Sequence, residues 1–334
     1  MKFATLDSAD AEGAVLAHTV RLADRAIKKG HLLTAADVAA LLAAGVGSVM
    51  AARLDDGDIA EDEAARRIAV ACCGAGVEVG PAFTGRCNLI ATVPGLAVIA
   101  RDTLIELNSI DEGLTVATVA PYEVVALGQL IATVKIIPFA LPQGVVIAAE
   151  ATLRCSPVVA GVAPFAARKA GLILTRVAGL KPSLIDKRVR AMRTRLEVLG
   201  STLGHNETVA HDTATVSRAI ASQARAGLNP ILVFGASAIV DRGDVIPQAL
   251  TDAGGTVVHV GMPVDPGNLL MVGRIGEADV IGVPSCASSP KLNGFDWVLE
   301  RLLAGLPVGR REIVAMAPGG LLTEIPARPQ PRNG

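Results

Sequence analysis

The sequence is poorest in aromatic rings: Phe, Trp and Tyr make up 2% of 334 residues, with a single Trp and a single Tyr. A surface that grips single-stranded nucleic acid stacks bases on such rings, and this chain has too few to build one. An excess of either charge is lacking as well. The 31 Lys and Arg stand against 32 Asp and Glu, for a net charge of −1. No basic field exists to attract a polyanion, so DNA and RNA are not expected partners. Cysteine is sparse and odd in number, five residues at 72, 73, 87, 155 and 286 with no CxxC spacing. That predicts reduced, mostly buried thiols and not a disulfide framework or a metal site. Long apolar runs are missing too. The longest, "VAALLAAGVGSVMAA", is shorter than the roughly 18 residues of a membrane span and carries Gly. The opening "MKFATLDSADAEGAVLAHTV" has no apolar signal core. A cytoplasmic protein without membrane contact is expected.

What is abundant is small and aliphatic. Hydrophobic residues reach 51%, so the core must be Ala, Val, Leu and Ile, which suits helices packed on a buried, largely parallel sheet. At roughly 100–200 residues per domain the length predicts two domains. In the first, Thr34 reads as an N-cap and Asp37 completes a box-like start to a helix that stops at Gly45. A strand follows in "VGSVMAARL", then a helix in "EDEAARRIAVACCGAG". Residues 82–150 are mixed, with a strand in "GQLIATVKIIPFALP" closed by Pro138 and Pro142. The stretch "RCSPVVAGVAPFAARKA" has no period, and the domain junction is placed near residue 165.

Beyond it the pattern alternates. "AGLILT" is a buried strand. "PSLIDKRVRAMRTRLEVLG" is an amphipathic helix with Leu184, Val189, Met192, Leu196 and Leu199 on one stripe. "DTATVSRAIASQARAG" is a helix capped by Asp212, "NPILVFG" a strand, "DVIPQALTDAG" a short helix, "GTVVHVG" and "ADVIGVP" strands, and "NGFDWVLERLLAG" the closing helix. This rhythm implies an α/β fold, a three-layer α/β/α domain with a mainly parallel sheet over 166–320. It is preceded by a smaller mixed α+β domain over 1–165 and followed by a Pro-rich tail or linker over 321–334.

In such a sheet ligands bind outside the carboxyl ends of the strands. Four strands are followed there by distinctive loops: "TRVAGLKPSLIDK", "GASAIVDRGD", "GMPVDPGN" and "PSCASSPK". They bring Gly and small residues for close backbone approach, the cations Lys181 and Lys291, and the acids Asp186, Asp241, Asp244 and Asp265. That mixture suits a phosphorylated, heteroatom-rich small molecule. No GxGxxG or GxxxxGK[ST] is present, so dinucleotide and P-loop readings lack their fingerprint.

The ordered set of loops resembles the molybdopterin-binding domain shared by molybdopterin adenylyltransferases and molybdopterin molybdotransferases. "VAHDTATVSRAI" resembles the family's helix start with paired acids. "LVFGASAIVDRGDVIPQAL" resembles its "T-G-G-x-S-x-G-x-x-D", "MPVDPGN" its "M-K-P-G-K", and "GVPSCASSPK" its "G-L-P-G-N-P-V-S". "KKGHLLTAADVAALLAAGVGSVMAARLDDGDI" is similar to a molybdotransferase segment. The nearest pattern is the half that precedes a molybdenum-cofactor nucleotidyltransferase in bacterial fusions.

The resemblance implies molybdopterin as ligand or substrate, with Mg²⁺, ATP and molybdate as further reactants. It implies a nucleotidyltransferase domain or protein as partner, and a homo-oligomer. It assigns Asp186, Asp241 and Asp244 to catalysis, the choice between the last two staying open. It assigns Lys181, Ser183, Asp212, Gly235, Ala236, Ser237, Asp265, Pro266, Gly267, Asn268, Pro284, Ser285, Cys286, Ser288 and Lys291 to the ligand. Local readings stand beside these. Asp212 and Asp244 also fit helix caps, Asp265 a turn, and Cys286 a small buried residue. Ser237 has no evident His partner, so it is not expected to be a nucleophile, and His211 and His259 read as structural or exposed. The family's double Gly is reduced to "FGASA". Two lysines of its third loop are replaced by Asp265 and Asn268, which weakens the case for a triphosphate. Holding the pterin is therefore favoured over molybdotransferase- or adenylyltransferase-like turnover. A catalytically inactive scaffold or oligomerisation module is the alternative.

Overall fold

The computed structural model describes residues 1–155, 159–179 and 181–322. Leu180, residues 156–158 of the expected junction and most of the expected tail (323–334) lie outside them. The chain divides into two compact units, Met1–Pro164 and Phe165–Gly334.

The first unit is mixed α+β and is built from small sheets with antiparallel pairing. Lys2–Asp7, Ser48–Arg53 and Val15–Leu16 form one sheet. Its helix Ala35–Ala43 starts at a complete capping box, with the Thr34 side chain accepting the Asp37 amide and Asp37 accepting the Thr34 amide. His31 Nε2 at 2.8 Å and Arg25 at 3.0 Å also reach the buried Asp37 carboxylate. The bonds from the Thr34 hydroxyl first, then His31 and the Thr34 amide, hold that carboxyl well below the usual carboxylate range. A separate core forms where the helices Glu61–Cys72 and Gln143–Arg154 join a four-stranded sheet. Residues 143–154 carry no element expected from the sequence. They form a helix that begins directly after Pro142 and buries Val146, Ala149 and Leu153.

The second unit is a six-stranded sheet covered on both faces. In chain order its elements are β1 (Lys169–Arg176), α1 (Pro182–Val198), β2 (Thr202–Ala210), α2 (Thr213–Arg225), β3 (Ile231–Phe234), α3 (Val245–Asp252), β4 (Thr256–Val260), β5 (Met271–Ile275), β6 (Ala278–Val283), α4 (Gly294–Leu303) and α5 (Arg310–Val314). The sheet order is β2-β1-β3-β6-β5-β4. The pairings of β1 with β2, β1 with β3, and β3 with β6 are parallel. The hairpin strand β5 is antiparallel to both neighbours, so β4 runs with β6. This is the mainly parallel α/β sheet expected from the sequence.

The central strands read as unbroken apolar runs because both of their faces are buried. Leu172, Leu174, Leu232, Phe234, Ile281 and Val283 enter one core with Met192, Leu196, Phe295 and Leu299 of α1 and α4. The alternate residues Ile173, Ile231, Val233 and Val280 enter the other with Val216, Ile220, Ile246 and Leu250 of α2 and α3. Two strands go beyond the sequence reading. β2 is a sheet edge with an exposed and half-exposed pattern and no apolar run to announce it. β5 precedes the expected strand "ADVIGVP" and folds back onto it as a hairpin at Gly276, whose φ is 54°.

Candidate functional site

Because β1, β3, β4 and β6 run the same way, the loops that follow them leave the sheet at one edge. The turn after β3 is tied into a chain of polar contacts. Gly235 is buried, and a side chain would not fit: an added Cβ would lie 2.5 Å from the Ser237 carbonyl oxygen. The Ala236 amide donates to Thr175 Oγ1 at 2.7 Å. Thr175 Oγ1 lies 2.8 Å from His211 Nδ1, and His211 Nε2 lies 2.9 Å from Ser237 Oγ. The sequence reading is corrected here. Ser237 does have a His partner, supplied by the end of β2, and His211 is part of the loop chemistry.

On the other face of the same turn, Arg188 of α1 is 6% exposed. Its guanidinium sits 4.2 Å from the centre of the Phe234 ring, and it donates to the Gly235 carbonyl at 3.2 Å. Its Nε has no partner among the described residues, and no ion pair there neutralises it. Burial lowers its pKa from the ordinary arginine value. A buried cation with one neutral partner is costly unless something else completes it.

The acids are engaged differently. Asp212 caps α2, accepting the Thr215 amide at 2.8 Å, and this bond is the main cause of its lowered pKa. Asp244 Oδ2 accepts the amides of Val240 at 2.6 Å and Asp241 at 3.1 Å, and Asp241 Oδ1 accepts that of Gly243 at 2.7 Å. These carboxylates shape their own loop. Asp186 is exposed one turn into α1, Ser183 is exposed at its second position, and Lys181 is the exposed residue before it. No hydrogen bond or ion pair ties these three side chains to the other loops among the described residues. Nor do any three His, Cys, Asp or Glu side chains there gather into a cluster that could hold a metal ion.

The last two loops converge on the start of α4. Pro266 accepts the Gly294 amide at 2.8 Å, and Asp265 pairs its backbone with Gly320 and Leu322. Gly267 has a φ of 134°, and an added Cβ would lie 2.6 Å from the Gly294 nitrogen. Asn268 is exposed and accepts the Met262 amide through its carbonyl. Pro284 is buried and opens a short 3₁₀ turn, Ser285–Ser288, that contains the half-buried Cys286, with Ser288 Oγ donating to the Ser285 carbonyl. Arg195 of α1 pins this loop, donating to the carbonyls of Ser289 at 2.6 Å and Lys291 at 3.2 Å and pairing with Asp296. The Lys291 side chain is exposed.

Thr175, Arg188 and His211 were not singled out as ligand-site residues. The only local signals were a hydroxyl ending an apolar strand and a His preceding a cap. No helix among the described residues is long and apolar enough to cross a membrane.

Residues 5–53 match a family described as a domain of unknown function (DUF8806). No curated protein matches the chain. Among solved structures it is similar to the molybdopterin biosynthesis moea protein from Pyrococcus horikosii, at 14% identity and a TM-score of 0.33, over 91% of this chain and 75% of that one. It is similar to molybdenum cofactor biosynthesis protein B at 16% identity and a TM-score of 0.30, over 42% of this chain and 96% of that one. A molybdenum cofactor biosynthesis protein from Pyrococcus furiosus matches at 13% identity and a TM-score of 0.24, over 92% of this chain and 66% of that one. Likenesses this distant carry no argument about what this chain does.

Proposed function

We infer that the second unit binds molybdopterin, or its adenylylated or molybdenum-loaded form, and presents it for metal insertion or nucleotide attachment. One observation supports this most: the loops after β3, β4 and β6, which resemble molybdopterin-binding motifs in the right order, leave one edge of a mainly parallel sheet. That edge is where an open α/β sheet takes its ligands. Its groups suit a phosphorylated, polar molecule. Ser237 offers an exposed hydroxyl on a turn that Gly235 holds tight, and the buried Arg188 cation lies against that turn with incomplete partners.

Holding is favoured over turnover. Of the acids assigned to catalysis, Asp241 and Asp244 are engaged by amides of their own loop, and Asp186 stands apart on α1. A Mg²⁺ ion would need oxygen ligands from a cluster that these residues do not make. The loss of cationic residues at Asp265 and Asn268 works against ATP in the same way. A nucleotidyltransferase domain or protein is the natural recipient of the held pterin, in the cytoplasm, and a homo-oligomer is the assembly this reading carries. The assignment of 1–165 as a partly molybdotransferase-like domain belongs to the same proposal.

The test is binding of molybdopterin and its adenylylated form to purified protein, followed by addition of Mg²⁺ with ATP or molybdate. Saturable binding without product is the expected result. Product formation would establish an enzyme. Failure of both forms to bind would leave a scaffold or oligomerisation module.

A further inference from the structure

The contacts of the Gly235–Ser237 turn fix the direction in which its hydrogen bonds run. Thr175 is fully buried at the end of β1, and a buried hydroxyl hydrogen needs an acceptor. Its Oγ1 already accepts the Ala236 amide. The other partner of that oxygen is His211 Nδ1, at 2.8 Å. The Thr175 hydrogen therefore points at Nδ1, which must be the bare nitrogen, and a neutral imidazole then carries its proton on Nε2. Nε2 lies 2.9 Å from Ser237 Oγ. It donates to that oxygen, and the hydrogen of Ser237 turns away from the ring toward solvent.

The opposite direction has a cost. With the proton on Nδ1, the imidazole would donate to Thr175 and accept from Ser237, as in an activated nucleophile. Two donors would then face Thr175 Oγ1, and its own hydrogen would be left in the core without an acceptor. An unmet buried donor disfavours that arrangement by about tenfold or more. The surroundings also define what Ser237 meets. Asp212, the acid beside His211 in the chain, has its carboxylate turned to the Thr215 amide at 2.8 Å. The charged side chain against the turn is Arg188, 3.2 Å from the Gly235 carbonyl.

We propose that Thr175 and His211 are positioning residues that lock the Ser237 hydroxyl as a hydrogen-bond donor to an oxyanionic group of the ligand, such as a phosphate. Ser237 is thereby a binding group and not a nucleophile. This rests on the reading of this sheet edge as the ligand site, and it adds residues that the motifs do not contain.

The experiment uses the full chain labelled with ¹⁵N at histidine, at a pH where imidazole is neutral, and inorganic phosphate as the probe. Long-range ¹H–¹⁵N spectra are expected to show His211 with its proton on Nε2 before any ligand is added. Phosphate should shift that signal saturably. Ser237→Ala and His211→Ala should each weaken phosphate binding about tenfold or more, the effect of losing a bond to a charged group. His211→Gln keeps a side-chain N–H donor and should stay within about threefold of the parent by the same comparison. A fluorophosphonate should leave Ser237 unlabelled.

A proton on Nδ1, phosphate affinity unchanged in Ser237→Ala, a loss in His211→Gln as large as in His211→Ala, or covalent labelling of Ser237 would each overturn the proposal. If His211→Ala fails to fold, the tautomer, Ser237→Ala and His211→Gln still decide it. The tautomer is read without any pterin. Failure of molybdopterin to bind therefore removes the pterin reading alone, and an Nδ1 proton removes the relay alone.

Discussion

Glu300 sits on α4, three residues after the only Trp of the chain, Trp297. Burial, and then repulsion from Asp296 one turn earlier, push its carboxyl up from the ordinary 4.5 to about 7, with Arg301 opposing weakly. The folded unit therefore prefers the protonated acid. For a carboxyl raised on folding, stability is full below the unfolded value and falls as pH rises toward the folded one. The window runs from pH 4.5 to about 7. At about 1.4 kcal/mol per pH unit, the ionised carboxyl costs this unit about 3–4 kcal/mol above that window. Glu300→Gln keeps the shape of the protonated acid and removes the charge. It should have nearly the stability of the parent at pH 4.5, and exceed it by about 3–4 kcal/mol at pH 8.5. Urea unfolding followed by Trp297 fluorescence measures this, because the single Trp reports on the second unit. A difference of the same size at both pH values, or a variant less stable at pH 8.5, would refute the reasoning.

Other predictions concern caps and turns. Asp37→Ala should cost about 1–2 kcal/mol through the lost capping box, seen as faster amide hydrogen exchange across Ala35–Ala43. With Asp37→Asn, the advantage of the parent should be full at neutral pH and shrink only below the ordinary aspartate value of 3.8, because that carboxyl is depressed on folding. Asp212→Ala should lower the thermal midpoint, whereas Asp212→Asn should restore it, since Asn caps as well as Asp. If Asp212→Asn also preserves pterin binding, the carboxylate is a cap and not a ligand. Gly267→Ala combines a left-handed φ with a contact against the Gly294 nitrogen. It should destabilise the unit by roughly 1–3 kcal/mol, read by Trp297 on the same helix.

The sequence by itself determined the features that depend on neighbours in the chain. The Thr34–Asp37 box, the Asp212 cap and the stops at Gly45 and Gly227 are set within a few residues, and each formed where the local pattern put it. The apolar runs of β1, β3 and β6 were legible because a strand covered on both faces must be apolar at every position. That was enough for the α/β class and the shared loop edge. The tertiary structure decided what depends on distant partners. The edge strand β2 has no burial pattern of its own and exists by pairing with β1. β5, interrupted by Arg274, exists as a strand by pairing antiparallel with β4 and β6.

The candidate site divides in the same way. Its glycines and loop positions were legible, but their partners were not. Ser237 meets His211 across 26 positions, His211 meets Thr175 across 36, and Ala236 meets Thr175 across 61. Arg188 looks like one more charge on an amphipathic helix until α1 lays it on the Phe234 ring. Whether Asp241 and Asp244 face a ligand or their own loop is set by which amides the folded turn brings within hydrogen-bond reach. Hydrogen-bond direction and burial are properties of the assembled sheet edge, and no spacing along the chain encodes them.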